Sequence, residues 1–404
     1  MSLVTRNEYF KILAERYQKL ASKKERGELI NEAHANTSLH RKSIIRALNR
    51  AKSQSHSERR SGRPIKYTEG TIFALKRLYR ESEYVCSGKL QAMIPTLIEQ
   101  FDLKLPSKVI EELKEISPAT IDRHLKLYRA QQAIKGRTHT RPGSTVFKRM
   151  IPLKNLSNIA TDPGTLEGDT VSHCGGISSG EFSFSLTLTD EFSGWTKNSA
   201  MKNKCAVNVQ PAIEKIITGL PFDLNSINFD NGSEFLNHLV YGYFVRLAQN
   251  RGIAFPMTRS RSYQKNDNAR AEQKNWTHVR QIFGYERIED GKLVDLMNQI
   301  YEVQNLIQNF FIPQYKLKSK VRVGAKIKKK YDKPKTPYQR LLESNISEEK
   351  KQKLRDQYVT LSYPQLKRQK DDLTTDFIKL QKKIKSEKQG NRLDPAITQS
   401  LGNT

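Results

Sequence analysis

The sequence predicts a mixed α/β domain set between helical, strongly basic flanks. Between about residues 164 and 284, short alternating or apolar runs give way to helical periods in the order β-β-β-α-β-α-β-α, with a three-stranded antiparallel start. On both sides of that stretch the apolar spacing is helical. Charge follows the same division. Residues 1–150 carry 31 Lys+Arg against 15 Asp+Glu, residues 151–310 carry 15 against 17, and residues 311–404 carry 24 against 10. A near-neutral centre between basic arms suits a carboxylate-bearing core flanked by segments that neutralise phosphates.

At 404 residues the chain has room for two or three domains, taking about 150 residues for each. Residues 1–50 read as helices. Leu29, Ile30 and Ala33 form one apolar face, and a polar break follows at Asn36-Thr37-Ser38. A second helix then hides Ile44, Ile45 and Leu48 and shows Arg41, Lys42, Arg46 and Arg50, with Ser38 as its expected N-cap. Helix, short turn and basic helix is the arrangement of a helix-turn-helix DNA reader. Residues 51–67 form a basic linker, whose Arg63 in Gly62-Arg63-Pro64 suits a minor groove.

Residues 68–132 are expected to form a second, helix-turn-helix-like domain, with helices at about 69–81, 88–101, 106–115 and 118–131. Ser117 followed by Pro118 is a strong helix start. The last of these helices buries Ile121 and Leu125 and offers Arg123 and Lys126, a second candidate for reading bases. Residues 133–160 lose periodicity and read as a linker.

In the α/β region, 161–312, LEGDTV (166–171) is the first strand and EFSFSLTLTDEF (181–192) the second. Asp190 to Gly194 turns into a third strand, WTKNSAMK, and 206–220 is helical. SINFD (226–230) is a buried strand, 231–252 a helix stopped by Gly252, 253–258 a strand and 268–284 a helix. Residues 313–404 are a basic, mostly helical region. Its part at 316–342 is extended, and its lysines at 316–330 are expected to meet phosphates.

Three carboxylates stand out: Asp169 in the middle of the first strand, Asp230 at the carboxyl end of a later one, and Glu272 on a helix. Two aspartates and a glutamate from converging elements can hold two Mg²⁺ or Mn²⁺ ions about 3.5–4 Å apart, enough to activate a nucleophile and stabilise a leaving oxygen at phosphorus. Asp169 would bridge the ions, and Asp230 and Glu272 would each hold one. Glu167 shares the face of Asp169 and stays open as an outer ligand. Asp190 fits local turn bonding, and Glu234 fits a helix-capping or supporting role. Cys86, Cys174 and Cys205 include no CxxC pair, which argues against a disulfide framework and a common zinc site. No apolar run reaches the roughly 18 residues of a membrane span, so a soluble, cytoplasmic, nucleoid-associated protein is expected.

LEGDTV, His173-Cys174-Gly175-Gly176, DNGSEF and QKNDNARAEQKNW, in this order, resemble the DDE transposase and integrase superfamily, and bacterial insertion-sequence transposases in particular. The resemblance covers about residues 160–340. It departs from the compact retroviral pattern in that Asp230 and Glu272 stand 42 positions apart. It implies an RNase H-like catalytic core with a five-stranded mixed sheet. It also implies cleavage of element ends and transfer of the 3′-hydroxyl to target DNA, with Asp169, Asp230 and Glu272 as ligands of two Mg²⁺ or Mn²⁺ ions. Asn231 and Gly232 would form the turn after the second aspartate, and Asn268 would orient Glu272 or touch DNA. Lys265, Arg270 and Lys274 would contact DNA, and Trp276 would either contact DNA or pack in the core. The implied partners are element-end and target duplexes and a second copy of the chain on DNA, with no membrane and no small-molecule cofactor. Two other readings stay open: a catalytically silent DNA-binding regulator, and an RNase H-like nuclease.

Overall fold

The structure is a computed structural model that describes residues 3–55, 66–132, 149–154, 160–261 and 268–398. The chain divides into two compact units, Met1–Lys66 and Tyr67–Thr404.

The first unit holds α1 (Leu3–Lys19), α2 (Lys23–Thr37) and α3 (Arg41–Ser55). Phe10, Leu13, Leu29, Ala33, Ile44 and Leu48 make its core. Helix α2 starts at a capping box, Ser22 with Glu25. Ser38 is not the N-cap expected for α3. It ends α2 in the left-handed region at φ 57°, its N–H donating to His34 O. The start of α3 falls to His40, whose carbonyl accepts from Ser43 and Ile44 and whose Nδ1 accepts from Lys42 N.

The second unit begins with α4 (Glu69–Glu81), α5 (Ser87–Gln100), α6 (Ser107–Glu115) and α7 (Pro118–Gln131). Thr68 and Ser117 cap α4 and α7 through their side chains. Leu75, Leu78, Ile94, Leu113, Ile121 and Leu125 of these helices belong to the same continuous core as the sheet that follows.

That sheet contains β1 (Thr165–Ser172), β2 (Phe184–Asp190), β3 (Thr196–Met201), β4 (Ser226–Phe229) and β5 (Met257–Arg259), in the spatial order β3-β2-β1-β4-β5. The first three strands are antiparallel, while β4 runs parallel to β1 and β5 parallel to β4. Helix α8 (Ala206–Thr218) leads into β4, and α9 (His238–Arg251) leads into β5. This is the RNase H-like arrangement. Two boundaries depart from the sequence reading. Helix α9 starts at His238, capped by Asn237, and not at 231. The last strand is only Met257–Arg259, short of the expected 253–258.

Gly168 is required where β1 meets β4. A Cβ there would lie 2.4 Å from the Phe229 ring, which also stacks on Phe235 at 4.2 Å. After β5 come α10 (Ala269–Lys274), a π-helical stretch Asn275–Arg280 and α11 (Gln281–Phe283). Next is α12 (Gly291–Leu306), continued by a second π-helical stretch, Ile307–Phe311. Asn298, Asn305 and Asn309 from this segment bond the backbone of Ala200, Asn198 and Thr196. They satisfy the outer edge of β3, a row of groups that would otherwise invite another strand.

The C-terminal region holds the hairpin β6 (Leu317–Val323) and β7 (Lys326–Tyr331), then α13 (Pro337–Leu342), α14 (Glu348–Thr360) and α15 (Tyr363–Thr398). The N-terminal part of α15 docks on α4 and the segment after it. Tyr363 Oη donates to Glu81 O, and buried Lys367 and Lys370 pair with the part-buried Glu83. Among the described residues no helix is long and apolar enough to cross a membrane.

Candidate active site

The parallel register builds the site. Gly168 pairs with Phe229, so Asp169 on β1 and Asp230, the residue after β4, are the next positions along two adjacent strands. The crevice beyond the carboxyl ends of such strands is where open α/β sheets bind ligands. Glu272 stands exposed on α10. The three carboxylates feel one another. Burial first, then the charge of Asp230, push Asp169 up to about 7, with Glu272 adding to the effect. Burial, then Glu234, push Asp230 up to about 6, opposed by a bond from Gly232 and by Lys204.

Protein donors hold these groups. Asp169 Oδ1 accepts from Thr170 N at 2.8 Å, and its Oδ2 accepts from Asn275 Nδ2 at 2.6 Å. Asp230 Oδ1 accepts from Gly232 N at 3.0 Å, and Asn231 Nδ2 donates to Ser260 O at 2.8 Å, which makes the turn. Among the described residues, no group of three or more His, Cys, Asp or Glu side chains converges in a form that could hold a metal ion. The donor set is all oxygen, which suits Mg²⁺ or Mn²⁺ over softer ions.

One mostly buried ion cluster aims α10 at the strands. Glu167 is not positioned as an outer ligand. It is 1% exposed, and its carboxylate accepts from Arg270 N and Ala271 N at the start of α10. Lys154 and Arg270 each bridge Glu167 and Glu191 at 2.6–3.1 Å. Asn268 precedes α10 and donates from Nδ2 to Gly168 O at 2.8 Å, so it ties the helix to β1 beside Asp169. Glu234 does not cap a helix, because α9 begins after it. It accepts from Thr170 Oγ1 at 3.0 Å, which links the two aspartate-bearing segments. Asp190 makes the expected local bonds, accepting from Ser193 N, Ser193 Oγ and Gly164 N.

The candidate DNA contacts divide. Lys274 is a correction. It is 7% exposed, one turn from fully buried His278, and burial holds its pKa well below the usual lysine value. Arg270 is half exposed, but its guanidinium is committed to Glu167 and Glu191. Arg46, Arg123 and Lys126 are exposed, and Arg123 also bonds Thr120 Oγ1 on its own helix. Arg41, also exposed, donates to Asn31 Oδ1. Trp276 is 41% exposed. Arg63 and Lys265 lie outside the described residues. His173 and Cys174 are structural. His173 Nε2 bonds Ser185 Oγ at 2.8 Å, burial holds its pKa down to about 3, and Cys174 is buried.

Sequence reasoning passed over Asn275 and Lys204. Asn275 was legible, standing three residues after Glu272 and so on the same side of the helix. Lys204, in the connection between β3 and α8, carried no signal.

No protein-family model matches the chain. A curated protein of Sinorhizobium fredii (strain NBRC 101917 / NGR234), the uncharacterized protein y4rM, is 32% identical over 346 residues, which are 84% of this chain and 96% of y4rM. The chain belongs to the y4rM family. Among solved structures, the catalytic core of BIV integrase aligns with 44% of the chain and 93% of its own length, at 15% identity and a TM-score of 0.27. A chain of the simian T-cell lymphotropic virus intasome, solved with PP2A regulatory subunit B56 gamma, aligns with 63% of this chain and 76% of its own length. The identity there is 12% and the TM-score 0.30. At these scores the fold of the y4rM relative rests on its own strand order and register.

Proposed function

We propose that this member of the y4rM family is a DDE-type DNA transposase, a metal-dependent polynucleotidyl transferase that cuts element ends and joins the 3′-hydroxyl to target DNA. One observation carries the reading. Asp169 and Asp230 end adjacent parallel strands in register, and both are electrostatically coupled to Glu272 on the helix that crosses them. A pair of carboxylates with depressed acidity in one crevice marks a site prepared for cationic charge.

Asp169, Asp230 and Glu272 would hold two Mg²⁺ or Mn²⁺ ions. When bound, such ions polarise phosphoryl oxygens and supply a nucleophilic hydroxide at neutral pH. The chain's own residues orient the donors. Asn275 and Thr170 N fix the Asp169 carboxylate, Gly232 N fixes that of Asp230, and Glu167 with Asn268 locks the start of α10 against β1. Arg46 on α3 and Arg123 with Lys126 on α7 are exposed cations suited to duplex, and a second copy of the chain would bring two element ends together.

The test is purified full-length protein with Mg²⁺ or Mn²⁺ on DNA carrying the inverted repeats that flank its own coding region. Asp169→Asn, Asp230→Asn and Glu272→Gln should each abolish nicking and joining while leaving end binding unchanged. Full activity in any one of them would overturn the assignment of that carboxylate.

A further inference from the structure

The β6–β7 hairpin has no buried face: every residue of both strands is exposed. Seven of the fifteen residues from Leu317 to Tyr331 are Lys or Arg, and none is acidic. Among the described residues, none of those seven makes an ion pair within the chain. Val321, Val323 and Ile327 are each about half exposed on the same ribbon. A lone two-stranded ribbon is at best marginally stable in water, and this one repels itself as well.

Its root is built firmly. Gln314 and Lys335 form a bridge, Lys316 N donates to Asp332 Oδ1, and buried Arg340 joins Asp332 Oδ2 at 2.6 Å and Gln314 O at 2.8 Å. Lys316 also interacts with Asp190 and with Arg270, two residues before Glu272. A firmly held base, next to the residues that buttress the start of α10, therefore presents an uncovered cationic arm.

We propose that the β6–β7 ribbon docks in the major groove of duplex DNA held at the active site. The inference rests on the reading of this chain as a DNA-acting enzyme and names the element that grips the duplex. Size agrees: the major groove is about 12 Å wide and admits a two-stranded ribbon. The residues agree as well. Val321 pairs with Lys328 and Val323 with Lys326, so one face carries two valines beside two lysines. Turned to the base edges, the valines meet thymine methyl groups and the lysines meet guanine O6 and N7 acceptors. Lys320 and Lys329, paired on the opposite face, reach the phosphates of the groove walls.

Binding of the full-length chain to a mixed-sequence duplex tests this in EDTA, across a salt series, and again with uracil replacing every thymine. For K320Q/K329Q, the slope of log affinity against log salt should fall by about 0.9 for each phosphate contact removed. The wild type should bind the uracil duplex more weakly than the thymine duplex, and V321S/V323S should lose that preference. An unchanged slope in K320Q/K329Q would overturn the proposal. So would indifference of the wild type to thymine methyl groups, which would leave the ribbon lying along phosphates. A changed oligomeric state with unchanged DNA binding would assign the ribbon to a second copy instead. All the substituted side chains are exposed, so the variants leave the core intact. Because binding is read without metal, failure of the cutting reaction and failure of the ribbon are separate results.

Discussion

Asp169→Asn should make the metal-free protein more stable at neutral and alkaline pH. In the fold, burial and then the neighbouring charge of Asp230 raise Asp169 from 3.8 to about 7. The folded state therefore holds a proton on this group over a range in which the unfolded chain has released it. Stability is fully present below about pH 3.8, is lost progressively as pH rises, and is lost completely above about pH 7. At about 1.36 kcal/mol per pKa unit, the ionised carboxylate costs the fold at most about 4 kcal/mol at pH 8 and about 1.6 kcal/mol at pH 5. Asparagine keeps the shape, removes the charge and removes that pH dependence. Urea unfolding of both proteins at pH 8 and pH 5 in EDTA measures the difference directly. Millimolar Mg²⁺ should then recover stability in the wild type and much less in the variant. If the variant is no more stable at pH 8, or if its advantage does not shrink toward pH 5, Asp169 is not a desolvated, mutually repelled carboxylate and the crevice is not charged as described.

Two further outcomes follow from the supports of α10. Glu167→Gln leaves Lys154 and Arg270 without half of their anionic partners in a mostly buried cluster, and should lower stability by about 3 kcal/mol, read as a lower urea midpoint at unchanged slope. Lys274→Met should raise the melting temperature at pH 7. The native state holds Lys274 with a depressed pKa, so protonation in the unfolded chain favours unfolding. The gain should shrink as pH rises toward the ordinary lysine pKa, and a constant gain would mean that packing alone caused it.

Much of the fold and most of the candidate site were legible in the sequence because strand-type and helix-type spacing alternate cleanly between residues 165 and 259. The second strand lies within an alternating run and the fourth within an apolar one, and each of the three carboxylates sits in a distinct string. The misreadings share a cause, namely that residue type was allowed to stand for environment. Phe235 and Leu236 looked like the apolar start of a helix, yet both are buried in the turn before it, Phe235 against Phe229, and Asn237 was the true cap. Ser38 is a good cap by type, but the chain reaches it with a left-handed backbone that closes the preceding helix. Lys274 was taken for surface because it is lysine. The helical spacing Ala271-Lys274-His278 already marked the buried face, since both neighbours at that spacing are fully buried.

The same logic explains why the hairpin could be placed only in outline. A strand with one buried face announces itself by alternation, whereas in β6 and β7 valines and lysines are all exposed and neither face is selected by a core. What fixes the register is the root, where Asp332 and Arg340 come from sequence that reads as ordinary charged loop and helix. An element whose pattern answers to no core in its own chain is shaped for something outside it. Seven cations that make no ion pair among the described residues, on a firmly held ribbon, make a duplex phosphate backbone the matching surface.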